Sequence, residues 1–411
     1  DEEQKDADRQ ENTDRKESDE EQKDADQPEN TDRQENAGQQ PQPQQAAPAD
    51  AAPAAPAPAN GFCKNIITVI NNAATALKLT LKDVKIDVSD TGKNTGYPWT
   101  SDEGKAALSV QGNGNVEIEL DGKNELKSGP HRAGLEKNTS TSTGTLTLKD
   151  DNNEAGSLTA TGGDWGAGIG NGGYYGNSDN RSGENITITG GTVNATGGWG
   201  GAGIGGGYYG NGYYGNGENI KITDGTVNAT GGWGGAGIGG GGGNGKNITI
   251  IGGTVTAGGG YRGAGIGGGI SGSGKNITIT GGTVNADGGT NAAGIGGGAT
   301  GSGSNVTVSG AAQVTAIAGK SNGYYGAGAT IGNGGDFTGS ENVDGKEIQA
   351  DISRVTTGYI HHIIYDPALV SEDNPLGIVR EWWEPESPQP NPEDPEDPNA
   401  PAEESNEVSL G

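Results

Sequence analysis

The stretch NITITGGTVNATGGWGGAGIGGG, residues 185–207, decides the fold of this chain. Its copies begin at residues 219, 247 and 276 and, more loosely, at 305, so that the first asparagines are 34, 28, 29 and 29 residues apart. Within the copies, the spacing from Val193 to Ile204 is always 11 residues, and extra residues appear only after GIGGG. Constant segments with variable insertions at one place are typical of a solenoid.

One repeat supplies three short strands. Ile186 and Ile188 alternate with threonine, Val193 shares a side with Ala195, and Ile204 lies in a glycine-rich third segment. The period of two indicates β-strands with small apolar side chains on one face. No repeat buries these alone, but coils stacked about 4.8 Å apart form a continuous narrow core. The repeat therefore predicts an all-β fold, a right-handed parallel β-helix of the pectin-lyase type with eight to ten coils, its handedness taken from the crossover rule.

Composition excludes several classes of protein. Glycine accounts for 82 of 411 residues and hydrophobic residues for 29%, so most of the chain cannot build a large core. A net charge of −28 repels a phosphate backbone, which excludes nucleic acid as a partner. No run of 18 apolar residues occurs, so no membrane span is predicted. The single cysteine, Cys63, cannot form a disulfide framework.

The acidic charge is concentrated at the two ends of the chain. Residues 1–60 carry 17 acidic and 6 basic side chains, and residues 385–411 carry 8 acidic and none basic. Both ends lack an apolar stripe and are rich in proline, which favours disorder. We therefore predict a disordered acidic repeat and Gln/Ala/Pro linker (1–60), a β-helix (61–384) and a disordered acidic, Pro-rich tail (385–411). The β-helix divides into capping coils (61–143), glycine-rich repeats (144–335) and a closing segment (336–384).

A family resemblance rests on two features of the chain. The stretch NVEIELDGKNELKSGPHRAGLEKNTSTSTGTLTL, residues 115–148, is followed by coils that carry GAGIGGG. This arrangement resembles glycine-rich parallel β-helix surface proteins of Gram-positive gut bacteria, near the clostridial carbohydrate-binding β-helix family. The resemblance implies an exported, cell-wall-associated protein that binds polysaccharide. Calcium is the ion that the resemblance implies, but no acidic ladder recurs in the repeats, so we predict no cofactor and no metal site.

An aromatic residue recurs at one place in successive coils. Trp199, Trp233 and Tyr261 each precede the isoleucine of GIG by five residues, and Trp165 precedes Ile169 by four. Equivalent positions of adjacent coils stack, so these rings are predicted to form a ladder on which sugar rings pack. The alternative is that the rings stack only on one another and stabilise the coils.

Tyrosines form a second group in the corner insertions. Loops on a rigid scaffold often carry binding residues, and mixtures of Tyr, Gly and Asn give adaptable contacts. The predicted ligand-binding tyrosines are Tyr208, Tyr209, Tyr213 and Tyr214, and the same composition surrounds Tyr174, Tyr175, Tyr324 and Tyr325. The alternative is that these insertions are filler without a ligand.

The sequence predicts a protein without catalytic residues. Acidic and basic side chains are few in the repeats and do not recur as paired carboxylates, and His361 and His362 face opposite sides of one strand. The predicted function is non-catalytic binding of a polysaccharide or glycan by an extracellular protein. A scaffold or adhesin that contacts host or matrix proteins is the alternative, and a polysaccharide lyase or hydrolase is the third reading.

Overall fold

A computed structural model of the protein describes residues 61–92, 103–138, 141–152, 154–173, 182–209 and 213–385, all within the unit Pro56–Gly411. The predicted segment 1–60 and nearly all of the predicted tail 385–411 lie outside these residues. No helix in the described part of the chain is long and apolar enough to cross a membrane.

Short strands make up most of the described chain. The N-terminal coils contain β1 (Ile67–Ile70), β2 (Leu77–Lys82), β3 (Lys85–Asp87), β4 (Leu108–Gln111), β5 (Val116–Lys127), β6 (Leu135–Glu136), β7 (Leu146–Lys149), β8 (Gly156–Thr161) and β9 (Ile169–Gly170). The next coil contains β10 (Gly183–Ile188), β11 (Thr192–Thr196) and β12 (Ile204–Gly205), followed by a hairpin of β13 (Tyr208–Tyr209) and β14 (Tyr213–Tyr214).

The regular coils continue to the C-terminal part. Their strands are β15 (Gly217–Ile222), β16 (Thr226–Thr230), β17 (Ile238–Gly239), β18 (Gly245–Ile250), β19 (Thr254–Gly258), β20 (Ile266–Gly267), β21 (Gly274–Ile279), β22 (Thr283–Asp287), β23 (Ile295–Gly296), β24 (Gly303–Val308), β25 (Gln313–Ala318) and β26 (Ile331–Gly332). The last elements are β27 (Asp336–Thr338), β28 (Glu341–Val343), β29 (Tyr359–Tyr365), a 3₁₀ turn (Pro367–Leu369) and β30 (Ile378–Glu384).

The strands of successive coils stack side by side and form three faces along the column. Face 1 contains β2, β5, β7, β10, β15, β18, β21 and β24; face 2 contains β3, β5, β8, β11, β16, β19, β22, β25, β29 and β30; face 3 contains β1, β4, β6, β9, β12, β17, β20, β23 and β26. Because β5 runs from face 1 into face 2, these two faces form one 17-stranded sheet, whereas face 3 is a nine-stranded sheet. The prediction of an all-β parallel β-helix is confirmed.

The core is a column of small apolar side chains, as the period-two pattern predicted. In one coil it receives Ile186 and Ile188 from face 1, Val193 and Ala195 from face 2 and Ile204 from face 3, each at most 1% exposed. Each residue pairs with its counterpart one coil further on, for example Ile186 with Ile220. These core side chains therefore pack against their counterparts in the neighbouring coils, and no coil buries them alone.

An asparagine ladder fixes the corner at which each coil enters face 1. Asn185, Asn219, Asn247, Asn276 and Asn305 all have positive φ values of 53–57°. Asparagine tolerates this left-handed conformation better than other residues with a Cβ. Each amide Nδ2 donates to the Oδ1 of the asparagine one coil earlier, over 3.0–3.1 Å along the four steps of the ladder. The ladder satisfies its own polar groups and holds the coils in register.

The other two corners depend on glycine. At Gly260 a Cβ would lie only 1.6 Å from the carbonyl oxygen of Gly232, one coil earlier, so the coils approach too closely for any side chain. At Gly267 the φ value is +136°, which side chains rarely allow, and the same position has φ between +129° and +147° from Gly205 to Gly332. Much of the glycine in the repeat is therefore a requirement of coil stacking.

A hairpin covers the end of face 2. Strand β29 pairs in parallel with β25, and β30 then pairs antiparallel with β29, a reversal that the repeat does not predict. The ring of His361 stacks on Trp383 at 3.8 Å, and that of His362 stacks on Trp382 at 4.4 Å. The antiparallel strand blunts an edge that could otherwise pair with another chain.

His362 connects this hairpin to the last coil through a buried network. Its Nδ1 lies 2.6 Å from Oγ1 of Thr330, whose hydroxyl donates to the carboxylate of Glu347 at 3.0 Å. Burial raises the pKa of Glu347. Burial, together with the nearby charges of His361 and Arg380, lowers the pKa of His362 from 6.5 to about 4.

This pKa shift predicts acid sensitivity. The unfolded chain binds a proton at His362 more readily than the folded chain does, so the stability contributed by neutral His362 is complete above pH 6.5 and is lost as the pH falls towards 4. The loss amounts to about 3 kcal/mol. We expect chemical unfolding of the native protein to show this extra decline relative to His362→Gln. Parallel stability profiles of the two proteins between pH 7 and 4 would contradict the assignment.

Candidate functional site

The predicted aromatic ladder lies at the corner between faces 2 and 3. There the coils leave face 2 through a glycine pair and turn into face 3, and three of them present an aromatic side chain between the two faces. Trp199, Trp233 and Tyr261 occupy this position in three successive coils. We call these three residues the aromatic corner. Because the backbone on both sides pairs in register with the next coil, the rings are held at fixed spacing.

The rings of the aromatic corner contact one another along the column. Trp199 and Trp233 are parallel within 1°, with centroids 5.2 Å apart, and Trp233 and Tyr261 are stacked at 5.7 Å. Solvent reaches 39% of Trp233 and 41% of Tyr261, whereas Trp199 is half-buried. Stacking thus covers part of each ring and leaves a continuous exposed strip.

Trp165 does not belong to this strip, and its prediction as a ligand-binding residue is wrong. It is 1% exposed, and its ring contacts those of Trp199, Tyr208 and His131. The reason is a shift of one residue: Trp165 aligns with Gly200 in the next coil, and Asp164 aligns with Trp199. With a φ of 69° its side chain turns inward, where it forms the packed base of the ladder.

The tyrosine insertion forms the β13–β14 hairpin beside the ladder. Tyr208 donates its backbone N–H to the carbonyl oxygen of Trp165 at 2.7 Å, and its half-buried ring packs edge-on against Trp199 at 5.6 Å. The backbones of Tyr209 and Tyr213 pair with each other. The side chains of Tyr209, Tyr213 and Tyr214, like residues Tyr174 and Tyr175, lie outside the described part of the structure.

The aromatic surface continues beyond Tyr261, which the sequence did not predict. The guanidinium of Arg262 lies 5.7 Å from the ring of Tyr261 and 4.5 Å from that of Tyr325. Tyr324, 55% exposed, stacks on Phe337 at 4.3 Å. We call Arg262, Tyr324, Tyr325 and Phe337 the C-terminal extension of the corner. Only the Tyr-Tyr pair was visible as a signal in the sequence, because the extension comes from an irregular loop and not from the repeat.

A polar contact ties the extension to the corner. Nδ2 of Asn322 donates to the hydroxyl of Tyr261 at 3.2 Å, and Oδ1 of Asn322 accepts the backbone N–H groups of Tyr324 and Tyr325 at 2.9 and 2.8 Å. One asparagine therefore fixes the loop against the aromatic corner. Polar groups of this kind at the edge of an aromatic strip are suited to hydrogen bonds with the hydroxyl groups of a sugar.

Two partly or fully buried carboxylates away from the corner, those of Glu136 and Glu347, are engaged in structural contacts. Burial raises the pKa of Glu136, which pairs with Arg132 at 2.7 Å, and Glu347 accepts the bonds from Thr330, which is fully buried. A surface cavity of about 280 Å³ is lined by Ile66, Thr68, Glu103, Gly104, Lys105, Ala106, Ser109, Gln111 and Arg132. In the described ranges no three His, Cys, Asp or Glu residues are grouped so as to hold a metal ion.

Comparison with known proteins supports the fold. A family model described as a beta helix repeat matches four segments of the chain, residues 186–208, 220–242, 248–270 and 277–299. These segments span the three strands of four successive coils. No curated protein and no solved structure matches the chain. The chain is thus similar to beta helix repeats; a Gram-positive gut origin and a place near the clostridial family stay predictions.

Proposed function

We propose that this β-helix is a non-catalytic binding protein whose aromatic corner holds a polysaccharide. One observation carries the proposal: Trp233 and Tyr261 are about two-fifths exposed while being fixed in adjacent coils. Large aromatic surface left in water is unfavourable, and a ligand that covers it recovers part of that free energy. The apolar C–H face of a sugar ring is a suitable partner for a π surface.

The shape of the site favours a polymer over a single sugar. The exposed strip runs along the column through successive coils and continues to Tyr324. An extended chain that follows the column meets the rings of three successive coils, so that weak contacts add along its length. Export from the cell, and a place in the cell wall or outside it, are part of the proposal and rest on the resemblance and on the repeat architecture.

A scaffold or adhesin function is the second candidate, and a specific observation favours it. Trp199 and Trp233 are parallel and cover each other, and the buried Trp165 packs against Trp199 at a tilt of 40°. Stacked rings stabilise neighbouring coils without any ligand. A protein partner could then use another surface of the column. A polysaccharide lyase or hydrolase is the third hypothesis, and hydrolysis would require paired carboxylates in an open cleft.

Tryptophan fluorescence tests the proposal directly. We expect at least one of a panel of soluble plant and host polysaccharides to change the emission of residues 61–384 in a saturable manner. The same titration of Trp233→Phe distinguishes the emission of the aromatic corner from that of the other tryptophans. The change in emission on ligand addition should be smaller in this variant than in the native protein. Equal signals in both proteins, or no response across the panel with calcium and with chelator, would favour the scaffold.

A further inference from the structure

Arg262 occupies a corner position at which the residue differs from coil to coil, with Trp165 and Asn291 at this place in two other coils. In the two preceding coils the equivalent residues are Gly200 and Gly234, and Gly235 packs directly on the backbone of Gly201 as Gly263 packs on that of Gly235. A side chain at this place is therefore no requirement of the fold. It is also the one basic side chain that contacts the aromatic corner among the described residues.

The guanidinium of Arg262 is surrounded by rings and pairs with no acidic side chain among the described residues. It lies 6.0 Å from the ring of Trp233, 5.7 Å from Tyr261 and 4.5 Å from Tyr325. Its Nε is buried without a hydrogen-bond partner, and no carboxylate in the described part of the chain lies within 4.0 Å of it. Arg132, by contrast, contacts two carboxylates, those of Glu103 at 2.6 Å and Glu136 at 2.7 Å.

Arg262 has N–H donors for which the described residues supply no acidic acceptor. Guanidinium carries five N–H donors, and a buried donor left without an acceptor destabilises the folded protein. Contact with aromatic faces offsets part of this cost but satisfies none of these donors. The group that matches them is a carboxylate, which accepts two parallel hydrogen bonds from the planar fork.

The position of this arginine relative to the exposed rings indicates where the carboxylate comes from. A sugar ring packed on Tyr261 or Trp233 lies beside the guanidinium, which is within 6.0 Å of both ring centroids. The hydroxyl of Tyr261 and the amide of Asn322 add neutral polar groups at the same edge. The guanidinium at the edge of this site is thus suited to bind a carboxylate carried by the sugar ring.

We propose that Arg262 binds the carboxylate of a uronic acid unit and makes the aromatic corner selective for carboxylated glycans. This inference rests on the proposed function, because the rings supply the contact with the sugar and Arg262 supplies the selection. The net negative charge of the protein opposes such a ligand at long range, so the contact must be short and local, and its contribution survives moderate salt.

The test compares one glycan in two forms. Oligomers of galacturonate, glucuronate and mannuronate are titrated by calorimetry alongside the same oligomers with their carboxylates reduced to alcohols, with chelator present throughout so that no metal bridges the ligand. We expect the native protein to bind at least one uronate oligomer about tenfold more tightly than its reduced form. Arg262→Gln should bring this ratio close to one, because the discrimination between the two forms is then lost whatever happens to the affinity they share, and Arg262→Lys should keep part of the ratio.

Arg354→Gln is the matched control, because Arg354 is exposed and lies far along the chain from the corner. Its ratio should equal that of the native protein. If the native protein binds both forms equally, or if Arg262→Gln keeps the tenfold ratio, the selection by Arg262 is refuted while polysaccharide binding stands. If none of these oligomers binds in either form, both proposals fail for this site.

Discussion

Replacing Gly260 by alanine is expected to lower the free energy of unfolding by about 3 kcal/mol or more. The added Cβ would lie 1.6 Å from the carbonyl oxygen of Gly232 and 2.5 Å from its carbonyl carbon, far inside van der Waals contact. The obstacle is backbone, so it cannot rotate away as a side chain does. Two coils must separate, although the N–H of Gly260 is bonded to the carbonyl oxygen of Gly235 at 2.9 Å.

Gly258 provides a control two residues away. A Cβ at Gly258 meets no atom within 4 Å, and the aligned residues in neighbouring coils, Thr230 and Asp287, carry side chains. Gly258→Ala should therefore change the stability by less than about 0.5 kcal/mol. Urea unfolding followed by circular dichroism measures both variants against the native protein, with midpoints compared at equal slope. Equal midpoints for the two variants would show that coil spacing does not require glycine at residue 260.

Replacing Trp233 by alanine is expected to weaken polysaccharide binding at least tenfold, about 1.4 kcal/mol. Trp233 contributes the more exposed of the two indole rings of the aromatic corner and is the centre of the stack, in contact with Trp199 at 5.2 Å and Tyr261 at 5.7 Å. The loss of these two contacts should also lower the stability by about 1–3 kcal/mol. The variant is thus expected to remain folded at 25 °C but to lose its ligand, as measured by calorimetry.

Trp383→Ala separates the loss of ligand contact from a general effect of losing a tryptophan. Trp383 is 38% exposed, close to the 39% of Trp233, and it also contacts two rings, those of His361 and Tyr359. It lies in the closing hairpin and not at the corner. Its removal should lower stability to a similar extent and leave binding unchanged. If both variants bind like the native protein, the stacked rings serve the coils alone.

The repeat made most of the fold predictable from the sequence. The alternation of Ile186 and Ile188 with threonine indicated an inward and an outward side, and the constant spacing from Val193 to Ile204 indicated that equivalent residues stack. These features are local or periodic, so a single chain reveals them. The stacking of Trp199, Trp233 and Tyr261 followed from the same periodicity.

Features that depend on irregular segments could not be predicted. The burial of Trp165 depends on a shift of one residue in an atypical coil, and the contact of Arg262 with Tyr325 depends on how a later loop returns to the column. The antiparallel strand β30 reverses the direction of the repeat. The spacing of four residues from Trp165 to Ile169 records the shift but not the burial that results from it, and the other two features depend on tertiary contacts that no periodic pattern records.

The β13–β14 hairpin shows that the length of a coil and the register of its strands are independent in this chain. The coil that contains it is 34 residues long and the next is 28, yet Ile204 still pairs with Ile238 and Glu218 with Lys246. The extra residues leave the column between face 3 and face 1 and return without displacing a single pair. Evolution can therefore lengthen, shorten or recode a loop at this junction while the stacking free energy of the coils stays constant. Each junction between face 3 and face 1 can therefore carry a loop of different length or sequence while the paired strands on both sides keep their register.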